Sequence, residues 1–282
     1  MRASAMQGRF TEQDTERYYD SHDPLYRAFW DKDGGLHWGV FDDTTGNDFL
    51  KACANLNNIM VQKGLIDQNA QVIDLGCGNG NTSIWLGKST GCRVLGVDLS
   101  GVRVQNANDE LKKQSDEVKQ RINFEKASVT DLPFHDQSFT HAWSQATIYH
   151  VHDKEKALLE AYRVLDYGGI FLFDDLIKPK PEVSDNAKKY VYDRLLFDTD
   201  FSFDGYQQAL EDTGFQIIEA VDLSEHLRTS YARLSELAGE IKDNDQEHFQ
   251  GLSHAYKQTV KCIEERDVGW AMYVCQKPSR SD

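Results

Sequence analysis

The chain has 282 residues, 40% of them hydrophobic and 11% aromatic, enough for one large domain or a core with a cap. Its 46 acidic against 31 basic residues leave a net charge of −15, a surface that repels nucleic-acid backbones and anionic membranes and so argues against a DNA or RNA substrate. Five scattered cysteines without a C-x-x-C pair argue for a reducing compartment and against a zinc site. With no signal peptide and no apolar stretch of spanning length in view, a cytoplasmic protein without a membrane partner is expected.

Residues 1–8 and 278–282 read as loose ends. Residues 11–31 carry a helical pattern with Tyr18, Tyr19, Tyr26, Phe29 and Trp30, and a glycine turn at Gly34-Gly35 follows. A second helix is expected over 46–64, ended by Gly64. Strands are then expected near 71–75, 93–98, 122–127, 139–144 and 170–174, with helices near 81–89, 101–116 and 153–165 between them. That alternation predicts a parallel sheet covered on both faces. Lys178-Pro179-Lys180-Pro181 breaks the pattern. Beyond it we expect a helical insertion at 182–198, a helix from Phe203 to Gly214, a sixth strand from Phe215, two helices within 225–266, and a last strand over 270–275.

The segment Val72-Ile73-Asp74-Leu75-Gly76-Cys77-Gly78-Asn79-Gly80-Asn81 reads as a buried strand, a glycine turn and a helix start. Val94-Leu95-Gly96-Val97-Asp98-Leu99 follows as a second apolar strand ending in an acid, which completes a βαβ nucleotide-type unit. A dinucleotide fingerprint would need glycine at position 81, where Asn81 stands. Asp74, aimed into the turn, would repel a pyrophosphate but suits a ligand carrying an ammonium or sulfonium. Asp98 stands where an acid accepts hydrogen bonds from both ribose hydroxyls. An acid before an open glycine turn and a ribose acid after it describe an S-adenosylmethionine site.

With these residues the chain resembles the class I S-adenosylmethionine-dependent methyltransferases. The matching segments are Asp74 to Gly80, Gly96-Val97-Asp98-Leu99-Ser100, Asp131-Leu132-Pro133-Phe134, and Arg163-Val164-Leu165-Asp166-Tyr167-Gly168-Gly169, in the family's order over roughly residues 70–176. The resemblance implies an α/β, Rossmann-like class I methyltransferase fold: a seven-stranded, mostly parallel sheet with helices on both faces, plus N-terminal helices and a helical lid. It divides the chain into an N-terminal helical cap at 1–64 and a methyltransferase domain at 65–282, with lid insertions near 177–203 and 225–266. It implies S-adenosyl-L-methionine as cofactor, a small-molecule methyl acceptor and no metal, and it leaves monomer and homodimer both open.

The cofactor contacts it implies are residue-specific. Asp74 and Gly76 would face the methionine moiety and Asp98 the ribose, with Leu99 packing on the adenine, and Gly78 of the turn is a further cofactor contact. Ser128 and Val129 follow strand three, where the family's adenine contacts fall; many relatives place an aspartate where Ser128 stands. Ser144 and Gln145, at the end of strand four, would contact the methionine end. Tyr19 and Trp30 are the aromatic residues chosen to close over the sulfonium, whose charge a π face attracts; Tyr18 and Trp38 have docking on the core as the competing role. Gln105 has two readings, an adenosine contact or a solvent-facing side chain. His150 is the candidate catalytic residue, as a base for an amine or hydroxyl proton, against the alternative of a purely structural hydrogen bond.

Trp143-Ser144-Gln145, Ser128, Tyr18-Tyr19-Asp20 and the Leu36-His37-Trp38-Gly39 turn are similar to the sarcosine/dimethylglycine N-methyltransferase group, so an amine nitrogen is the favoured acceptor. Two positions depart from that group, Ala146 where an acid is common and Asp98 where one is often missing. Sugar O-methyltransferases and tocopherol-type C-methyltransferases share the Leu-His-x-Gly turn and stay as alternatives, as does a non-catalytic binding subunit. An amino-acid acceptor would need a cation for its carboxylate, and Lys178, Arg194 and Arg228 lie in or beside the expected lid.

Overall fold

The computed structural model describes residues 9–29, 37–197, 199–242 and 246–280, with the backbone alone for 21–29. Trp30, chosen as a cofactor contact, lies outside the described residues. Helices α1 (Glu12–Phe29) and α2 (Phe49–Gly64) precede the sheet. Asp48 caps α2 by accepting the Lys51 amide at 3.1 Å, which starts the helix three residues later than the sequence pattern suggests.

The alternating core then runs β1 (Gln71–Leu75), α3 (Asn81–Thr90), β2 (Arg93–Asp98), α4 (Gly101–Lys112), the short α5 (Asp116–Lys119), β3 (Ile122–Lys126), β4 (Phe139–Gln145), α6 (Lys154–Val164) and β5 (Leu165–Ile177). A single turn α7 (Asp185–Ala187) opens the insertion and continues as a π-helical turn over Lys188–Asp193. The chain closes with α8 (Phe203–Thr213), β6 (Gln216–Asp222), α9 (Ser224–Glu240), α10 (Gln246–Glu264) and β7 (Gly269–Gln276).

These strands form one seven-stranded sheet in the order β3-β2-β1-β4-β5-β7-β6. All neighbours are parallel except β7, which runs antiparallel to both β5 and β6. The expected fold class is therefore the observed one. Strand β5 is longer than the 170–174 core expected for it. Its pairing with β4 jumps from Phe139↔Leu165 to His141↔Ile170, so the Asp166-Tyr167-Gly168-Gly169 turn is taken up as a bulge, with Gly168 at φ +77°.

Side-chain alternation divides the core into two layers. Phe171 and Phe173 of β5 pack with Ala157, Leu158 and Ala161 of α6 and with Tyr206 and Leu210 of α8. Leu172 and Leu176 face the other way, with Leu56 and Met60 of α2 and Leu227, Tyr231 and Leu234 of α9. The strand order reverses between β1 and β4, and a cleft outside their carboxyl ends is where such sheets take ligands.

Candidate active site

A cleft with two joined chambers lies at that reversal. Tyr19, Gly76, Arg103, Ala146 and Thr147 line both chambers. One chamber adds Asp98, Leu99, Ser100, Ser128, Val129 and His150, and the other adds His37, Asp74, Gly78, Asn79, Asn81 and Gln145. The first is bounded by the ends of β2 and β3, and the second by the turn between β1 and α3.

The turn is built by backbone conformation. Gly76 has φ +82°, and a Cβ placed there would stand 2.2 Å from Thr147 Cγ2. No side chain fits, so the peptide surface itself forms the floor. The Gly76 and Cys77 amides donate to the Val97 carbonyl at 2.8 and 2.9 Å, which ties the turn to β2. Asp98 then locks the turn from its other end. Its Oδ2 accepts the Gly78 amide at 2.9 Å and its Oδ1 accepts the Ser100 amide at 2.8 Å. Burial raises the Asp98 carboxyl above the ordinary carboxylate range, and the Arg103 guanidinium opposes that shift.

Asp74 is 3% exposed and accepts the Ser83 hydroxyl at 2.5 Å. Burial pushes it up to about 7, with the Ser83 hydrogen bond acting against the rise and the Asp98 charge adding to it. A cation entering the chamber would draw it into its ionised form.

Helix α1 roofs the first chamber. Glu12 accepts from the Ser128 and Thr130 hydroxyls at 2.5 and 3.0 Å, Glu16 pairs with Lys126, and Asp20 accepts from the Ser100 hydroxyl. Acids of the roof therefore bind the very strand ends that line the chamber. Tyr19 hangs from this helix and its hydroxyl bonds His150 Nε2.

The expected site residues divide by position. Tyr19, Asp74, Gly76, Gly78, Asp98, Leu99, Ser128, Val129, Gln145 and His150 all line the cleft. Ser144 is fully buried, gives its hydroxyl to the Leu75 carbonyl at 2.9 Å and lines neither chamber. It stitches β4 to β1, because alternation along β4 turns it away from the face that Gln145 shows. Gln105 is exposed and bonds Asp109, its solvent-facing reading. Trp38 is 2% exposed against Tyr149, Tyr231 and Trp270, which is docking on the core, and Tyr18 packs against the same layer.

His150 departs from a simple base. Burial lowers it to about 3, partly offset by the Leu196 carbonyl and reinforced by the Arg103 and Lys154 charges. Its ring is neutral at physiological pH, with Nδ1 3.4 Å from the Leu196 carbonyl and Nε2 beside the Tyr19 hydroxyl. Such a ring accepts hydrogen bonds well and holds a proton poorly.

Arg103, Thr147 and Asp174 were not singled out by the sequence. Asp174 is 1% exposed within β5, paired with Gln145 of β4, and takes the Trp270 indole N–H at 2.8 Å on Oδ1. Its Oδ2 is buried without a hydrogen-bond partner, as is the Trp38 indole nitrogen. Burial raises the carboxyl to about 8, and the Gln145 amide beside it acts in the opposite direction. Neighbouring Asp175 differs, since its oxygens take the Tyr149 amide at 3.0 Å and the Tyr206 hydroxyl. The available signal was Asp174-Asp175 inside Phe171-Leu172-Phe173 and Leu176-Ile177, two acids in an otherwise apolar strand.

Of the three lid cations, Lys178 pairs with Asp200 and Arg228 with Glu225. Arg194 lies over the Tyr231 and Tyr256 rings at 5.7 and 5.1 Å. Among the described residues there is no cluster of three or more metal-type ligands and no helix long and apolar enough to cross a membrane.

Comparison with known proteins agrees with this geometry. A methyltransferase-domain family model matches residues 73–173. The glycine/sarcosine/dimethylglycine N-methyltransferase of Actinopolyspora halophila is 32% identical over 83% of this chain, which spans 41% of that protein's length. The 27-O-demethylrifamycin SV methyltransferase of Amycolatopsis mediterranei is 26% identical over 92% of this chain and 95% of its own. In fold, the cyclopropane synthase MmaA2 of Mycobacterium tuberculosis superposes with a TM-score of 0.83 at 14% identity, covering 95% of this chain and 99% of that one. Residues 73–173 thus carry a methyltransferase domain of the class I, S-adenosylmethionine-dependent type. Within that class it is related to the sarcosine/dimethylglycine N-methyltransferases.

The residues present fit the cofactor. A side-chain-free turn at Gly76, an acid facing each chamber and a buried cation between them match a ligand with a ribose, an ammonium, a carboxylate and a sulfonium.

Proposed function

We propose that the methyl acceptor is a small aliphatic amine and that nitrogen is the atom methylated. The observation carrying this reading is Asp174, a buried carboxyl with one unpartnered oxygen, set beside Gln145 of the cofactor cleft. Trp270, whose indole N–H bonds Asp174, belongs to an aromatic cluster with Trp38, Tyr231 and Tyr149, whose ring centroids lie 5.8 to 6.3 Å from that of Trp38. A carboxyl among aromatic faces is a receptor for an ammonium group, which needs both charge and π contact. It also stands in for the acid that the related amine enzymes commonly carry at position 146.

S-adenosylmethionine supplies an electrophilic methyl on a sulfonium, and displacement there needs an unprotonated, aligned nucleophile. Small amines are ammonium ions at neutral pH. Burial keeps Asp174 protonated in the empty site at neutral pH, so the arriving ammonium displaces that proton to solvent as it binds; the ionised carboxylate then takes one proton from the ammonium, which frees the nitrogen lone pair. The Trp270 N–H holds the carboxyl in place by its other oxygen. Neutral His150 and the Tyr19 hydroxyl provide a fixed polar pair on the opposite side of the cleft and take no net proton. Helix α1 excludes water from above.

Methyl transfer to oxygen or carbon is the second reading, favoured by likeness to a rifamycin O-methyltransferase and to the cyclopropane synthase fold. Incubation with methyl-labelled cofactor and separate sets of aliphatic amino acids, amines, sugars, phenols and lipids tests both. Label on amine nitrogen supports the proposal, and label confined to the other sets replaces it.

A further inference from the structure

We infer that Arg103 is the residue that binds the carboxylate of the cofactor's amino-acid end. Arg103 is the third residue of α4, after the cap Ser100, whose side chain accepts the Arg103 amide at 3.1 Å. A cation in the first turn of a helix opposes the helix dipole, so nothing in the helix itself favours arginine there. Its side chain is nonetheless 7% exposed and is folded into the cleft, where it lines both chambers. The guanidinium lies over the Tyr19 ring at 3.8 Å, and Nη1 comes 3.6 Å from where a Cβ on Gly78 would stand. It therefore sits above the glycine turn, beside Asp74 and Asp98.

The chamber holding Asp74 and Arg103 has one acid and one guanidinium facing the same space. That is the charge pattern of a receptor for an α-amino acid zwitterion: Asp74 takes the ammonium and Arg103 the carboxylate. The planar fork of arginine suits a carboxylate in two-point contact, and stacking on Tyr19 fixes the plane of that fork. Without Arg103, the cofactor's carboxylate would enter a space facing the buried Asp74, with the Asp98 charge close behind it. Arg103 thus reverses the local repulsion that Asp74 and Asp98 create.

The test compares calorimetric binding of S-adenosylmethionine with that of its decarboxylated form, which keeps adenosine, sulfonium and ammonium. The wild-type protein should bind the decarboxylated ligand at least ~10-fold more weakly. In Arg103→Met that preference should shrink to about 2-fold or less, through weaker binding of S-adenosylmethionine, while Arg103→Lys should retain part of it. Equal affinity of the wild-type protein for both ligands would overturn the assignment without any variant. So would an Arg103→Met protein that weakens both ligands equally, the result of a ribose contact or a packing role. These binding readouts do not involve the methyl acceptor, so they stand or fall apart from the amine proposal.

Discussion

Asp98, at the end of β2, and Asp174, within β5, are both buried acids, and they are satisfied in opposite ways. Asp98 accepts two backbone amides, so its position is dictated by the turn it closes. Asp174 accepts one indole N–H and leaves an oxygen unpartnered in the core. A carboxyl that shapes the backbone works as a fixed floor for a ligand common to many enzymes. A carboxyl that keeps a buried valence open costs stability, and that cost is compensated when a donor from a particular substrate arrives. The cofactor side is thus built into the fold, while the proposed acceptor side is built from side chains that the fold carries at some expense.

Changes on the cofactor side should give the largest effects. Asp98→Ala should weaken S-adenosylmethionine by about 100-fold or more in calorimetry, because it removes the proposed ribose acceptor and frees the Gly78 amide from its anchor. An unchanged affinity would remove Asp98 from the floor. Gly76→Ala combines left-handed backbone strain with a Cβ that meets Thr147 at 2.2 Å. We expect the melting temperature to drop by roughly 5–15 °C. Thr147→Gly in the same chain should recover part of that loss by opening space, leaving the backbone strain.

His150 sharpens the comparison from the polar wall. As a neutral acceptor paired with Tyr19, it should tolerate glutamine with a turnover loss of about 10-fold or less. The pH dependence of turnover between pH 6 and 9 should keep its shape in that variant. Loss of an inflection there would restore histidine as the base.

The smallest effects, in stability against pH, should carry opposite signs. His150 titrates at about 3 when folded against 6.5 unfolded, so the unfolded chain takes the proton first as pH falls. Wild type should lose its stability advantage over His150→Gln between about pH 6.5 and 3. Asp174 titrates at about 8 folded against 3.8 unfolded, so the unfolded chain loses its proton first as pH rises. Asp174→Asn should gain on wild type from about pH 4 up to 8. Thermal melts over these ranges check both slopes.

The same division governs what could be read from sequence. The succession of strands and helices and the two-sided core follow from local patterns, as do Gly76, Gly78 and Asp98, which the backbone next to them needs, and Asp74, which stands just before the glycine turn. The bulge in β5 was hidden because a glycine turn reads alike whether it joins two elements or lies within one. Ser144 and Gln145 differ by one step of strand alternation, which sends Ser144 to Leu75 and Gln145 to the cleft. Asp174 and Arg103 escaped notice because their meaning depends on partners far along the chain. Asp174 acts with Trp270 across two strands, and Arg103 with Tyr19 of the roof.

The most direct measurement is a steady-state and binding comparison of Asp174→Asn with wild type, using the amine that accepts label. The account predicts a turnover loss of about 100-fold or more with cofactor affinity unchanged within about 2-fold. Turnover near the wild-type level in a folded variant would contradict Asp174 as the group that receives the acceptor's proton.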